Sequence, residues 1–252
     1  MKRVLAAMIL TGAVLGLLPG RGLAENAIYV YGGQCSTRPH DVTIQQPISG
    51  NFLVVDDAHF TDDSFVGPIY YGIRASHFFK NNPHWGIEAE FFHPKARMEV
   101  DREYDIRGEW HGKDADQKDA KIDDYIQSFE ISHGFNFLLL NGVYRYGFFK
   151  TDRIPYGRLQ LLMRAGAGIT ILHPESKIDE QRRYIESGGY EIGDFGFQLS
   201  PGIEFTIFRG LDGFADYKYT YAEMDHVTIK YGTADTVFTT DHIDFGLSYH
   251  FK

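Results

Sequence analysis

The last fifteen residues constrain this chain more than any other stretch. From Val237 to Phe251 they read V-F-T-T-D-H-I-D-F-G-L-S-Y-H-F. From Ile243 onward every second residue is apolar (Ile243, Phe245, Leu247, Tyr249, Phe251), and His242, Asp244, Gly246, Ser248 and His250 lie between them. A period of two puts the two sets on opposite faces of a β-strand. A soluble sandwich shows the same alternation. The position of the strand separates the two cases: it ends in an aromatic residue one short of the carboxyl terminus. It also follows an export signal and several other long alternating stretches. Strands of about ten residues, apolar toward lipid and polar toward the lumen, are the pattern of outer-membrane barrels.

Met1 to Ala24 reads as a secretory leader. Lys2 and Arg3 give the positive start, Val4 to Leu18 the apolar centre, and Gly22-Leu23-Ala24 a small-residue cleavage site before Glu25. The apolar run falls short of the ~20 residues that a spanning helix needs, and no later stretch approaches that length. Insertion into a membrane is therefore expected through a closed barrel, the other structure that satisfies every backbone group in lipid. Residues 1–24 are expected to be the leader and residues 25–252 a single barrel domain. The leader carries three cations, Lys2, Arg3 and Arg21, and no acid, so its removal takes the formal charge from -9 to -12. An acidic exported chain is a poor partner for nucleic acid. Glycine (27 residues) and aromatics (15 %) are plentiful, as expected where strands bend and where side chains ring the two interfaces. The one cysteine, Cys35, excludes an internal disulfide and reads as an incidental loop thiol.

Eight alternating segments emerge. They are Asn26 to Gln34, Phe65 to Phe79, Trp85 to Ala96, Ser128 to Tyr146, Tyr156 to Leu172, Asp194 to Phe208, Phe214 to Tyr231 and the C-terminal strand. The connections alternate long and short. Cys35 to Asp63 and Arg97 to Tyr125 read as long hydrophilic loops, and Lys80-Asn81-Asn82-Pro83 as a tight turn. Long outer loops and short periplasmic turns are the outer-membrane rule, which leaves both termini in the periplasm. The expected fold is all-β: an eight-stranded antiparallel transmembrane β-barrel of outer-membrane type, located in the outer membrane. A monomer is the expected state.

Parity turns Leu159, Leu161, Ala165, Ile169, Phe197, Leu199, Phe205, Phe245, Leu247 and Phe251 toward lipid. It turns five cations (Arg74, Arg145, Arg158, Arg164, Lys218) and five acids (Glu88, Glu90, Glu204, Asp216, Asp244) toward the lumen. An eight-stranded interior is just wide enough for side chains to fill. Charges there must pair, so the expectation is a salt-bridged plug, with a proton or ion path as the alternative.

Chemistry, if any, is expected at the outer rim. His93 closes the third strand, His133 stands near the outer start of the fourth, and His173 closes the fifth, with Glu175 two residues on. These are neighbouring strands, so the side chains could converge. His93, His133 and Glu175 are the candidate catalytic residues, and His93, His133 and His173 the candidate metal ligands. A divalent or redox metal ion is the cofactor such a set would take. Three surface histidines in the aromatic girdle is the plainer reading. Glu223, Asp225, His226, Asp241 and His242 form a second group at the outer ends of the last two strands, with solvation of a loop base as its plainer reading. The pairs Asp56-Asp57 and Asp62-Asp63 would suit divalent cations that bridge lipopolysaccharide phosphates, or simply a solvated loop. Gly166-Ala167-Gly168 lies inside a strand and is no nucleotide fingerprint.

Four stretches together resemble a known family. Gly134 to Arg145 reads G-F-N-F-L-L-L-N-G-V-Y-R. Gly166-Ala167-Gly168 is followed by His173-Pro174-Glu175. Asp216 to Tyr221 reads D-Y-K-Y-T-Y, and Gly246 to Phe251 reads G-L-S-Y-H-F. In this order, over Trp85 to Phe251, they are similar to the small outer-membrane barrels grouped with the lipid A oxidase of rhizobia. The resemblance implies an outer-leaflet substrate and the oxygen-dependent oxidation of the proximal glucosamine of lipid A to an aminogluconate. Lipopolysaccharide and the outer membrane itself are then the expected partners. The alternatives are a non-enzymatic barrel of the OmpA type, with a plugged lumen and adhesive or lipopolysaccharide-binding loops, and another lipid A enzyme such as a deacylase.

Overall fold

The computed structural model describes residues 25–131, 135–152, 154–178 and 189–252. The leader lies outside them, as does His133. Eight long strands form a closed antiparallel ring: β1 (Glu25–Thr37), β2 (Tyr71–Phe79), β3 (Asn82–His93), β4 (Asn136–Phe148), β5 (Leu159–Leu172), β6 (Glu191–Phe208), β7 (Leu211–Ile229) and β8 (Gly232–Phe251). Each pairs with the next in sequence, and β8 pairs back onto β1. The closing seam runs from Asn26 opposite Phe251 to Thr37 opposite Thr240. Closure leaves no unpaired edge within the ring, which is the condition for a sheet to sit in lipid.

The outer surface carries the apolar half of each alternation. Leu161, Leu199, Phe205, Phe245 and Leu247 are about half exposed, together with Ile28, Val30, Ile73, Trp85 and Tyr249. Ala165 also faces outward, and Leu159 and Ile169 are partly covered. An apolar band of this extent around a closed barrel is a lipid-facing belt.

The long outer segments are not loops. His40–Gln46, Asn51–Ala58, Glu103–Trp110 and Gln117–Lys121 are strands that extend the barrel sheet beyond the outer end of β8. Phe60–Thr61, Ala96–Met98, Ile126–Ile131 and Glu175–Ile178 form a second, four-stranded sheet. Their inward residues build an apolar core with Ile122 of the short turn Ile122–Asp124: Val42, Ile44, Leu53, Val55, Ile106, Ile122, Ile126, Phe129 and Ile131 are all fully or almost fully buried. At about 1.5–3 kcal/mol for each large side chain removed from water, such a core holds a folded cap in place. The alternation is there in the sequence (Val42/Ile44, Leu53/Val55, Tyr104/Ile106), but each run is short.

The cap corrects four boundaries. The Ser128–Tyr146 segment is interrupted: Ile126–Ile131 joins the cap, and β4 begins at Asn136. Phe65 to Tyr70 precedes β2 rather than opening it. β1 continues to Thr37, so Cys35 is no loop thiol: it is buried in a strand, and its backbone N–H donates to Asp62 Oδ2 at 3.1 Å. β7 and β8 run through to a two-residue hairpin at Lys230-Tyr231, so the last outer connection is short.

Candidate functional site

The lumen is filled by a layer of charge. Arg74 of β2 lies at its centre, with Nε 2.8 Å from Glu90, Nη1 2.5 Å from Asp216 and Nη2 3.5 Å from Asp244. Arg164 of β5 bridges Glu88 at 3.2 Å and Asp216 at 3.1 Å. Lys218 of β7 reaches Glu90 and Asp244, each at 2.9 Å. Neutral groups complete the layer. Ser76 donates to Glu88 at 2.6 Å, Asn141 to Glu88 and Glu90 at 3.0 and 2.8 Å, and Tyr70 to Asp244 at 2.8 Å, while Tyr31 and Gln198 also bond Glu90. Above it Phe92 and Phe137 stack at 4.6 Å, and the Lys218 ammonium sits 4.0 Å from the Phe92 ring centre. All of these charged side chains are fully buried or nearly so. The expected plug is present.

Two glycines make room for it. A Cβ at Gly202 would fall 1.7 Å from Asp216 Oδ1, and one at Gly72 would fall 2.1 Å from the Tyr31 ring. Glycine is required where large polar side chains cross so narrow an interior. One member of the expected charge set is misplaced. Arg158 lies just before β5, is exposed, and holds its guanidinium 5.2 Å from the Phe205 ring centre on the outer surface.

The periplasmic end carries a second buried group that parity reasoning did not assemble. Glu25 opens β1, Glu204 lies in β6, Asp212 opens β7 and His250 ends β8. Arg145 Nη2 is 2.8 Å from Glu25, and its guanidinium is held between the Phe78 and Tyr156 rings at 3.6 and 4.2 Å. His250 contacts Glu25 through Nδ1 and Glu204 through Nε2. Glu25 sits at the cleavage site and Asp212 in what reads as a turn, so neither invites a lumen assignment from sequence.

At the rim, His93 is buried, and its Nδ1 lies 2.7 Å from Asn136 Oδ1. Asn136 in turn donates to the Ile171 carbonyl at 3.4 Å, tying β3 to β5 across the start of β4. Asn136 lies inside the Gly134–Arg145 signature, which is the signal that could have picked it out. His173 stands against Tyr190 at 4.9 Å, and neither ring nitrogen has a hydrogen-bond partner among the described residues. Glu175 is buried and opens the cap strand that pairs with Ile126–Ile131. Close by, burial holds the Lys95 ammonium below the ordinary lysine range, and its Nζ donates to the Val66 carbonyl at 2.5 Å. Among the described residues, two groups bring three metal-type ligand atoms within 4.8 Å of one another: Glu204, Asp212 and His250, and Asp225, His226 and Asp235.

The second expected group divides. His242 points inward, is buried, and meets Thr220 at 2.9 Å, whereas Asp241 points outward to Arg38 at 2.9 Å. Asp225, His226 and Asp235 gather on the part of the hairpin beyond the lipid belt. They lie beside a cavity of about 540 Å³ lined by His40, Asp41, Asp57 and Glu223. The hydrogen bond to Asp225 and the charge of Asp235 raise His226 above the ordinary histidine range. Three of the four acids in the pairs of the first long segment make structural contacts. Asp56 pairs with Arg107 at 2.6 Å and Asp63 with Arg97 at 2.9 Å, and Asp62 accepts from Cys35 and Ser64.

No known protein family matches the chain, and no curated protein matches it. Solved structures do. Neisserial surface protein A is 8 % identical, with 89 % of this chain and 96 % of that one covered at a TM-score of 0.41. The attachment invasion locus protein Ail of Yersinia pestis is 12 % identical, with 90 % and 99 % covered at 0.35. The outer-membrane protease OmpT of Escherichia coli is 9 % identical, with 90 % and 97 % covered at 0.44.

Proposed function

We propose that this chain is a monomeric outer-membrane barrel with a sealed lumen, whose working surface is its outer rim and cap and whose partner is lipopolysaccharide. One observation carries this reading: the buried Arg74–Arg164–Lys218 network and its carboxylates cross the barrel interior. A barrel that conducts nothing acts at its ends, and the larger folded end is the outer one. The belt of outward apolar side chains supports placement in the membrane. The outer rim then offers the chemistry of lipid A. Phe65, Val66 and Ile69 are exposed just before β2, and two exposed guanidinium groups stand at the rim, Arg97 paired with Asp63 and Arg38 paired with Asp241. Apolar side chains suit acyl chains, and guanidinium groups suit sugar phosphates.

The test is co-purification. Barrel reconstituted with lipopolysaccharide is expected to retain it through gel filtration, and Phe65→Ser with Arg38→Ala to retain several-fold less. Equal retention by that variant, or none by the wild type, refutes the reading.

A second reading, oxidation of lipid A at the rim by His93, His133, His173 and Glu175 with a divalent or redox metal ion, is favoured by one feature. His173 keeps both ring nitrogens free of partners among the described residues, next to a buried carboxylate. Mass spectrometry of lipid A from cells with and without the protein decides it. A gain of one oxygen that His173→Ala or His93→Ala abolishes at equal surface expression establishes the oxidase, and an unchanged spectrum excludes it.

A further inference from the structure

We propose a binding site for one divalent first-row transition metal ion, of the zinc type, at the periplasmic end of the barrel, with Glu204, Asp212 and His250 as its ligands. The three come from β6, β7 and β8, and their donor atoms all lie within 4.8 Å of one another. Asp212 Oδ2 is 3.7 Å from His250 Nε2, which also meets Glu204. Glu204 and Asp212 are buried, yet among the described residues Glu204 Oε2 and Asp212 Oδ1 lack a hydrogen-bond donor. Buried carboxylate oxygens without partners are costly unless a cation faces them.

The charge balance points the same way. Seven carboxylates are buried in the barrel (Glu25, Glu88, Glu90, Glu204, Asp212, Asp216, Asp244) against four permanent cations (Arg74, Arg145, Arg164, Lys218). Three negative charges are left over before His250 is counted, and at the base Arg145 and His250 are all that meet Glu25, Glu204 and Asp212 among the buried side chains. A divalent ion on Glu204 and Asp212 removes most of that excess.

The histidine is oriented for the task. Its Nδ1 faces Glu25, 2.5 Å away, and Glu25 is itself held by Arg145 at 2.8 Å. An Nδ1–H donated to a fixed carboxylate leaves the Nε2 lone pair pointing at Glu204 and Asp212. Ligating histidines are held in this way by a carboxylate behind the ring, which sets the tautomer and raises the basicity of the ligating nitrogen. One imidazole and two carboxylates suit zinc or a neighbouring divalent ion. Entry is open: Glu25, Asp212 and His250 line a cavity of about 460 Å³ whose mouth also carries Arg158 and Arg209. A metal there would staple the last strand of the barrel to β6 and β7, beside the seam where β8 meets β1.

The test uses tag-free barrel refolded in detergent and stripped with chelator, with zinc alone as the probe. The exposed Asp225, His226 and Asp235 group is silenced by His226→Ala and Asp235→Asn in every protein compared. Calorimetric titration should then show one zinc per chain and a rise in the unfolding temperature on zinc addition. His250→Ala and the near-isosteric Asp212→Asn should lose both while still showing the mobility shift of a folded barrel on unheated gels. Glu25→Gln should weaken binding about 10- to 100-fold. The proposal is overturned if the parent takes up no zinc, in which case the excess charge is held by protons, or if Asp212→Asn and His250→Ala both bind zinc as the parent does.

Discussion

Arg164→Ala is the sharpest test of the plug. The Arg164 guanidinium is fully buried and serves two carboxylates, Glu88 at 3.2 Å and Asp216 at 3.1 Å. After its removal Asp216 keeps Arg74 on Oδ2 while its Oδ1 loses the Arg164 donor, and Glu88 keeps Ser76 and Asn141. Net charge changes as well. The central layer holds Glu88, Glu90, Asp216 and Asp244 against Arg74, Arg164 and Lys218, so its excess of one negative charge becomes two. Breaking a buried pair from one side costs about 3–5 kcal/mol, because the partner charge stays where water cannot reach it. For a chain of this size that corresponds to a loss of roughly 6–20 °C in transition temperature. The measurement is heat modifiability: the temperature at which the compact, fast-migrating barrel becomes the slow unfolded band. A second variant separates charge from packing. Arg164→Met with Glu88→Gln removes one charge of each sign and retains volume, so it should recover most of the loss. An unchanged transition in Arg164→Ala refutes the reasoning, as does a double variant no more stable than the single one.

Gly202→Ala places a methyl group against Asp216 and is expected to lower the same transition, whereas Gly67→Ala, where a Cβ meets nothing within 4 Å, should leave it unchanged. Phe129→Ala opens a cavity in the cap core and should cost the cap about 3–5 kcal/mol. The expected readout is faster proteolysis within residues 40–131 while the barrel keeps its mobility shift; loss of the barrel itself would show that cap and barrel are one cooperative unit. His226 should titrate above the ordinary histidine value in NMR of the reconstituted protein. Its raised folded value means that its contribution to the outer hairpin is complete below the unfolded value near 6.5 and fades as pH rises through the folded one, and Asp235→Asn should lower the midpoint. An unchanged midpoint in that variant removes Asp235 from the explanation.

The barrel was readable because lipid enforces the strand period more strictly than water does. Leu161, Leu199, Phe245 and Leu247 meet a solvent that accepts no polar alternative, so parity survives along whole strands. The cap strands answer to a weaker rule. Val42 and Ile44 lie on the buried face, and Asp41 before them and Thr43 between them lie on the other, so a seven-residue strand looks like a polar loop with two stray aliphatics. Nothing in the sequence announces that His40–Gln46 pairs with Thr233–Thr236, some 190 residues away. The lumen charges were legible by parity in β2 to β8, and Arg158 failed because it stands before its strand begins. The rim histidines were legible only as positions. His93 ends up pinned by Asn136, a residue that charge and metal patterns pass over.

The distribution of the buried charge separates two jobs within one barrel. In the central layer four acids meet three cations, and Ser76, Asn141, Tyr31, Tyr70 and Gln198 donate to the acids as well, so that layer is close to self-sufficient. At the base three acids meet Arg145 and a histidine, with two carboxylate oxygens unserved. A network that is nearly neutral needs no outside cation, which is why the central layer can fix the barrel cross-section by itself. A network short of positive charge responds to whatever cation the periplasm supplies. The cation-dependent part of the stability should therefore reside at the base, and replacement of Asp212 by Asn should make the barrel indifferent to added zinc without weakening the Arg74–Arg164–Lys218 layer above it.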